Sequence, residues 1–259
     1  MSSKNTLTST LIPRVHALVP CGGTGTRAGA GIPKQYRQVA GQSVLAHSLA
    51  ALGAVSRLAQ IVVVVSAEDA LIEEQPNIAW CAHRGESPYR LARCAGPTRA
   101  HTVGNGLAWL QEHGAEPNDW VLVHDAARCL VTPTQINQLI DACLHDPVGG
   151  LLAHKLPDTL KAGANGRVIH TVPREDKWLA QTPQMFRVKD LTQAMDAARE
   201  SDYANITDEA SAMEAIGLAP LLVEGGAQNF KLTYAADFAL AEAVLQARAG
   251  LAALNSNSD

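Results

Sequence analysis

VPCGGTGTRAGAGIPKQY, residues 19–36, closes an apolar run, carries five glycines and includes Arg27 and Lys34. Glycines placed directly after a strand let the backbone approach a ligand closely and adopt positive φ, so their N–H groups can wrap an anion. Such a loop holds phosphate, and three kinds compete for the reading. A Gly-Lys-Ser/Thr loop is absent, because Lys34 stands between Pro33 and Gln35. Gly23-Thr24-Gly25-Thr26-Arg27-Ala28 does match the dinucleotide fingerprint G-x-G-x-x-G/A. That fingerprint, however, needs a helix starting in the loop and an acidic residue about twenty positions on. Gly29, Gly31 and Pro33 oppose the helix, and no Asp or Glu precedes Glu68. A nicotinamide cofactor is disfavoured. What remains is a long loop able to surround a triphosphate, with Arg27 as a planar fork of donors and Lys34 as a point charge. Burying both cations there without an anion would be costly.

Working outward from the loop, VHALVP (15–20), IVVVVS (61–66) and WVLVHD (120–125) read as buried strands, short and rich in β-branched residues. Helical spacing occupies 44–55 and 102–114. Thr132-Pro133 opens another helix through about residue 144, with proline suited to the first helical position. Strand alternating with helix implies an α/β protein with a mostly parallel sheet and right-handed crossovers. Residues 149–156 add a strand. Helices follow near 188–200 and 207–216, then strands at 221–225 and 229–234, and a final helix from about Ala235. The segment 155–178 fits no layer: it is polar, turns at Asn165-Gly166 and reads as a hairpin. A lone two-stranded ribbon is marginal in water, so a second copy of the chain is expected to support it.

Composition bounds the function. The 259 residues can bury one substantial core, here a single domain over 14–250 with loose tails at 1–13 and 251–259. The net charge of -4 argues against nucleic-acid or membrane-surface partners. Yet Arg14, Arg27, Lys34, Arg37 and Arg57 all precede the first carboxylate, which suits an anionic small molecule. Five cysteines and nine histidines show no metal-ligand spacing, and no signal-like or membrane-length apolar run occurs. Reduced thiols and a cytoplasmic location are expected.

At this point the residues resemble a family. The pattern P-x-x-G-x-G-x-R-x-G-x-x-x-P-K-Q, Pro20 through Gln35, resembles the start of a nucleotidyltransferase, and VLVHDAAR (121–128) is similar to a marker of the 2-C-methyl-D-erythritol 4-phosphate cytidylyltransferases. PDTLK (157–161), Arg174 with Trp178, TPQMF (182–186), ITDEAS (206–211) and NFK (229–231) follow in that family's order. The chain departs at Cys21-Gly22, where the family often has two alanines, at Ala28 for Met and at Cys129 for Pro. The family's Gly-Gly-x-x-Arg-x-x-Ser is here Ala95 through Thr102, with Arg99 in the Arg position.

The resemblance implies a Rossmann-like sheet of nucleotidyltransferase type with a protruding β-arm. It implies transfer of CMP from CTP to 2-C-methyl-D-erythritol 4-phosphate, with Mg²⁺ bridging the triphosphate. Arg27, Lys34 and Lys231 would stabilise the reacting phosphorus. Pro20, Cys21, Gly22, Gly23, Gly25, Gly96, Thr102, Asp125 and Ala126 would hold CTP. Asp125, Arg128, Thr159, Arg174, Thr182 and Lys231 would hold the sugar phosphate. Thr159 and Arg174 lie on the hairpin, about 155–178, which in the family reaches across a homodimer to the neighbour's site. No metal ligand is assigned.

Single residues are weighed against plainer roles. Asp125 ends a strand, where α/β sheets place ligands. His124 reads as a packed core histidine, Asp208-Glu209 as support for a helix's first turn, Arg37 as a solvated surface cation, and Cys21 and Cys129 as small fillers. A cytidylyltransferase for a pentitol phosphate such as ribitol 5-phosphate, a nicotinamide oxidoreductase and a silent nucleotide-binding regulator stand as rival functions.

Overall fold

The computed structural model describes residues 12–23, 32–75 and 89–256. In chain order its elements begin with β1 (Val15–Pro20), a 3-10 turn (Lys34–Tyr36), the small ribbon β2 (Gln38–Val39) and β3 (Gln42–Ser43), α1 (Val44–Gly53), β4 (Leu58–Val64) and β5 (Tyr89–Ala92). Then come α2 (Arg99–Glu112), β6 (Trp120–Val123), α3 (Pro133–Leu144), β7 (Gly149–Lys155), β8 (Leu160–Ala164) and β9 (Arg167–Val172). The chain continues through β10 (Trp178–Arg187), α4 (Val188–Arg199), α5 (Glu209–Ala215), β11 (Leu221–Glu224) and α6 (Ala235–Ser256).

Seven strands form one sheet in the order β11-β7-β10-β6-β1-β4-β5. β1 pairs parallel with β4 and β6 at its centre. Period-two alternation sends β1's side chains to opposite faces. Ala17 and Val19 pack with Leu45 and Leu49 of α1 and Ile136 and Leu139 of α3. Leu18 meets Val103 and Leu107 of α2 and Leu191 of α4. A sheet covered on both faces explains why its strands read as unbroken apolar runs. The helices begin where the sequence caps them. Ser43 accepts from Ala46 N, Thr98 from His101 N, and Thr132 and Gln135 form a capping box around Pro133.

Three differences from the sequence reading have physical causes. TPQMF lies within a long strand, β10, that pairs antiparallel with both β6 and β7. Pro183 cannot donate to a ladder, and the pairing with β7 shifts register between Ala180 and Gln184, so the motif did not read as a strand. The strand expected at 229–234 is instead a loop. Its backbone and side chains anchor it across the sheet's end, with Leu232 N donating to Ala127 O at 2.8 Å and Asn229 Nδ2 to Thr182 O at 2.9 Å. Finally, α6 runs through 251–256, residues expected to belong to the tail. Phe238 and Ala241 bury its inner face against Leu130 and Leu232.

The hairpin is present as β8 and β9, joined at Asn165 (φ 51°) and Gly166 (φ 75°). Two successive positive φ angles are those of the turn that Asn-Gly favours. The ribbon's Val168 and Ile169 are 64% and 65% exposed. No helix among the described residues is long and apolar enough to cross a membrane.

The sheet's opposite end, away from the glycine turn, holds a buried acid. Asp119 accepts from Arg14 N at 2.8 Å, from the Arg14 guanidinium, from Glu116 N at 3.0 Å and from His16 Nε2 at 3.0 Å. Burial alone would raise its pKa, but these donors outweigh burial and bring it down to about 2. Burial also lowers the pKa of His16, more than Asp119 raises it. Both folded values lie below the unfolded ones, about 6.5 for His and 3.9 for Asp. Their stabilisation is therefore complete at neutral pH, starts to fall as His16 begins to protonate in the unfolded chain, and continues to fall toward pH 2. Asp119 accounts for on the order of 2 kcal/mol of that loss. Thermal unfolding followed from pH 7 to pH 3 is expected to show this decline, with a flatter profile below pH 4 in Asp119→Asn.

Candidate active site

A cavity of about 500 Å³ opens at the carboxyl ends of β1 and β6. Its first wall is the turn leaving β1, Cys21 to Gly23, where Gln35 donates to Cys21 O at 3.2 Å and Gly23 O at 3.0 Å. Those bonds tie the Lys34–Tyr36 turn to the glycine loop and set Lys34 on the cavity wall. Lys34 Nζ reaches Leu232 O at 3.4 Å. Gly96 to Arg99 and Thr102, at the N-terminal end of α2, form the adjoining wall. The positive end of the helix favours an anion there.

The floor is an ion-paired chain. Asp125, 7% exposed, receives Arg99 Nε on one oxygen at 2.7 Å and Lys231 Nζ on the other at 2.6 Å. Arg99 turns its remaining donors to Glu209, at 2.7 and 3.0 Å, in a bidentate pair. Glu209 is 1% exposed. Burial opposes the charge on Asp125, yet Arg99 and Lys231 hold the carboxyl well below the usual carboxylate range. The same two carboxylates raise the pKa of Arg99 against its own burial. Beneath lies Thr182, whose hydroxyl accepts Asp125 N–H at 3.0 Å and bonds His124 Nδ1 at 3.1 Å. Burial lowers the pKa of His124 to about 4, so the ring is neutral at physiological pH.

The family model for 2-C-methyl-D-erythritol 4-phosphate cytidylyltransferase matches residues 15–247. A protein of that name from Paraburkholderia phytofirmans is 48% identical over 236 residues, 90% of this chain and 96% of its own length. The chain belongs to this family. A bifunctional enzyme IspD/IspF from Albidiferax ferrireducens is 55% identical over 236 residues, and the chain spans 54% of its length. Among solved structures, that of a 4-diphosphocytidyl-2C-methyl-D-erythritol synthase is similar with a TM-score of 0.77 at 37% identity, covering 91% of this chain and 100% of that one. The Francisella tularensis cytidylyltransferase gives 0.72 at 30%, covering 88% and 98%.

The expected residues separate into groups. Pro20, Cys21, Gly22, Gly23, Gly96, Thr102, Asp125 and Ala126 all line the one cavity, with Lys34 and Lys231. Arg27 and Gly25 lie outside the described residues. Thr182 is 3% exposed and its hydroxyl is taken up by Asp125 and His124, which places it under the site as a support. Arg128 directs its guanidinium to Asn229 O at 2.8 Å and Ala180 O at 3.0 Å. Thr159 and Arg174 are exposed at the base of the arm, where Arg174 Nη1 donates to Pro157 O. Neither lines the cavity of its own chain.

The plainer readings divide as well. His124 is a core histidine, and burial raises the thiol pKa of Cys21 and brings Cys129 up to about 12, as fillers require. Asp208 caps α5 through Ser211. Glu209 does more than support that helix, since it anchors Arg99. Arg37 is not a free-standing surface cation: its guanidinium lies 3.8 Å over the Phe238 ring. The sequence reading missed the Arg99–Glu209 link. A usable signal existed, because a cation in the first turn of α2 opposes the helix dipole and calls for a carboxylate nearby.

Proposed function

We propose that this chain transfers CMP from CTP to 2-C-methyl-D-erythritol 4-phosphate, releasing pyrophosphate. The observation that carries the reading is the convergence of the glycine turn, Lys34 and the Asp125–Lys231 pair on one cavity, in a chain of this family. A phosphate oxygen of the sugar alcohol attacks the α-phosphorus in line. The new O–P bond forms as the bond to the β-phosphate bridge oxygen breaks, and the electron pair leaves on pyrophosphate. The nucleophile is already anionic, so no general base is required. The demand is for fixed positive charge where phosphoryl oxygens become crowded. Lys34 and Arg27 meet it along the triphosphate and Lys231 near the α-phosphate, with Asp125 holding Lys231 in place before substrate arrives.

Among the described residues no group of three or more His, Cys, Asp or Glu suits a metal ion, and the cavity's Asp125 is paired with Arg99 and Lys231. Mg²⁺ would enter on the CTP phosphates, as this ion commonly does. A cytoplasmic enzyme fits an anionic, diffusible substrate pair. The test is pyrophosphate release from each of the four nucleoside triphosphates, with methylerythritol phosphate or ribitol 5-phosphate as acceptor. CTP with methylerythritol phosphate is expected to dominate. A preference for ribitol 5-phosphate would replace the acceptor, and no release from CTP would reject the reading.

The arm supports a homodimer in which Thr159 and Arg174 serve the neighbouring subunit. Their exposure, and that of Val168 and Ile169 farther out on the arm, favours a partner surface. An Arg174→Ala chain mixed with a Lys34→Ala chain is expected to regain activity, because one site of each hybrid dimer is intact in both respects. Absence of recovery after verified subunit exchange would count against shared sites.

A further inference from the structure

The turn after β1 and the loop after β5 leave the sheet side by side, stitched through the end of β4. Cys21 N donates to Val64 O at 2.7 Å, Val65 N to Ala92 O at 2.9 Å and Ala95 N to Val65 O at 2.9 Å. Across this seam a Cβ on Gly22 would stand 2.4 Å from Ala95 Cβ and 3.4 Å from Thr102 Oγ1. Carbon atoms settle at about 3.5–4.0 Å, so methyl groups on both sides would force the loops apart by roughly 1 Å. The obstacle is attached to backbone and cannot rotate away. Thr102 is equally fixed, accepting from Gly96 N at 3.2 Å and donating to Thr98 O at 2.9 Å. Gly22 does not have the left-handed φ that would itself demand glycine. Space demands it.

The Ala95 methyl occupies the space that a methyl on Gly22 would need. We propose that Gly22 and Ala95 are a coupled pair of positioning residues that sets the separation of the two cavity walls and so the fit of the nucleoside end of CTP. The inference rests on the assignment of this cavity to CTP.

The experiment is a double-mutant cycle with CTP titration calorimetry and steady-state kinetics on Gly22→Ala, Ala95→Gly and the double variant. Overpacking in Gly22→Ala is expected to weaken CTP binding about tenfold, with the KM for the sugar phosphate changed by about twofold at most. Ala95→Gly alone should cost about threefold, and the double variant should bind CTP within about threefold of the parent. Gly22→Ala binding CTP like the parent, or a double variant as weak as Gly22→Ala, would overturn the proposal. If Gly22→Ala does not fold, a double variant that folds and binds CTP supports the coupling, and one that stays unfolded refutes it. A parent chain that binds no CTP would reject the functional assignment instead, and non-additive thermal midpoints would still judge the pair.

Discussion

Lys34→Ala is expected to lower kcat by about two to three orders of magnitude, the effect of removing one charge-stabilising donor worth about 3–4 kcal/mol. The side chain lies on the cavity wall, oriented by a turn that Gln35 fastens to the glycine loop. Alanine removes the charge and leaves that fastening intact, so the fold and the sugar-phosphate subsite should survive. Steady-state kinetics on both substrates separate the possibilities. A large fall in kcat with a nearly unchanged KM for the sugar phosphate fits stabilisation of the reacting phosphorus. A comparable loss in both would mean that Lys34 holds the acceptor.

The second large effect concerns stability. Arg99→Met leaves Glu209, 1% exposed, without its partner and Asp125 with Lys231 alone. Breaking a buried ion pair from one side typically costs about 3–5 kcal/mol, because the remaining charge stays desolvated. At about 2–4 °C per kcal/mol for a domain of this size, the melting temperature should fall by roughly 10 °C. Adding Glu209→Met removes the stranded charge and should recover much of the loss. Activity should not return with it, since Asp125 still lacks the guanidinium that fixes one of its oxygens. A single variant within about 1 kcal/mol of the parent would show that Arg99 is not structural in this sense.

How far this protein is legible from sequence depends on whether a feature is local. The central strands, the capped helices and the Asn165-Gly166 turn follow from neighbouring residues, and each appears where the pattern places it. The glycine turn, Lys34, Asp125 and Lys231 were legible because motif order put them together, and one cavity joins them. What stayed hidden is long-range. Nothing in the spacing of Arg99 and Glu209 announces a bidentate pair across 110 positions. Strand β10 was masked by its own proline, and residues 229–234 looked strand-like because alternation cannot reveal that no neighbouring strand is available. Thr182 carried the right residue type for a sugar contact, but only burial discloses that its hydroxyl is already engaged.

In the proposed reaction the N-terminal glycine loop and its cations cradle a triphosphate. A crystal structure of the chain with Mg²⁺ and CTP tests it most directly. The triphosphate is expected against the backbone N–H groups of Gly22 and Gly23, with Arg27 and Lys34 on its oxygens and Lys231 beside the α-phosphate. A nucleotide bound elsewhere, with those three side chains directed into solvent, would contradict it.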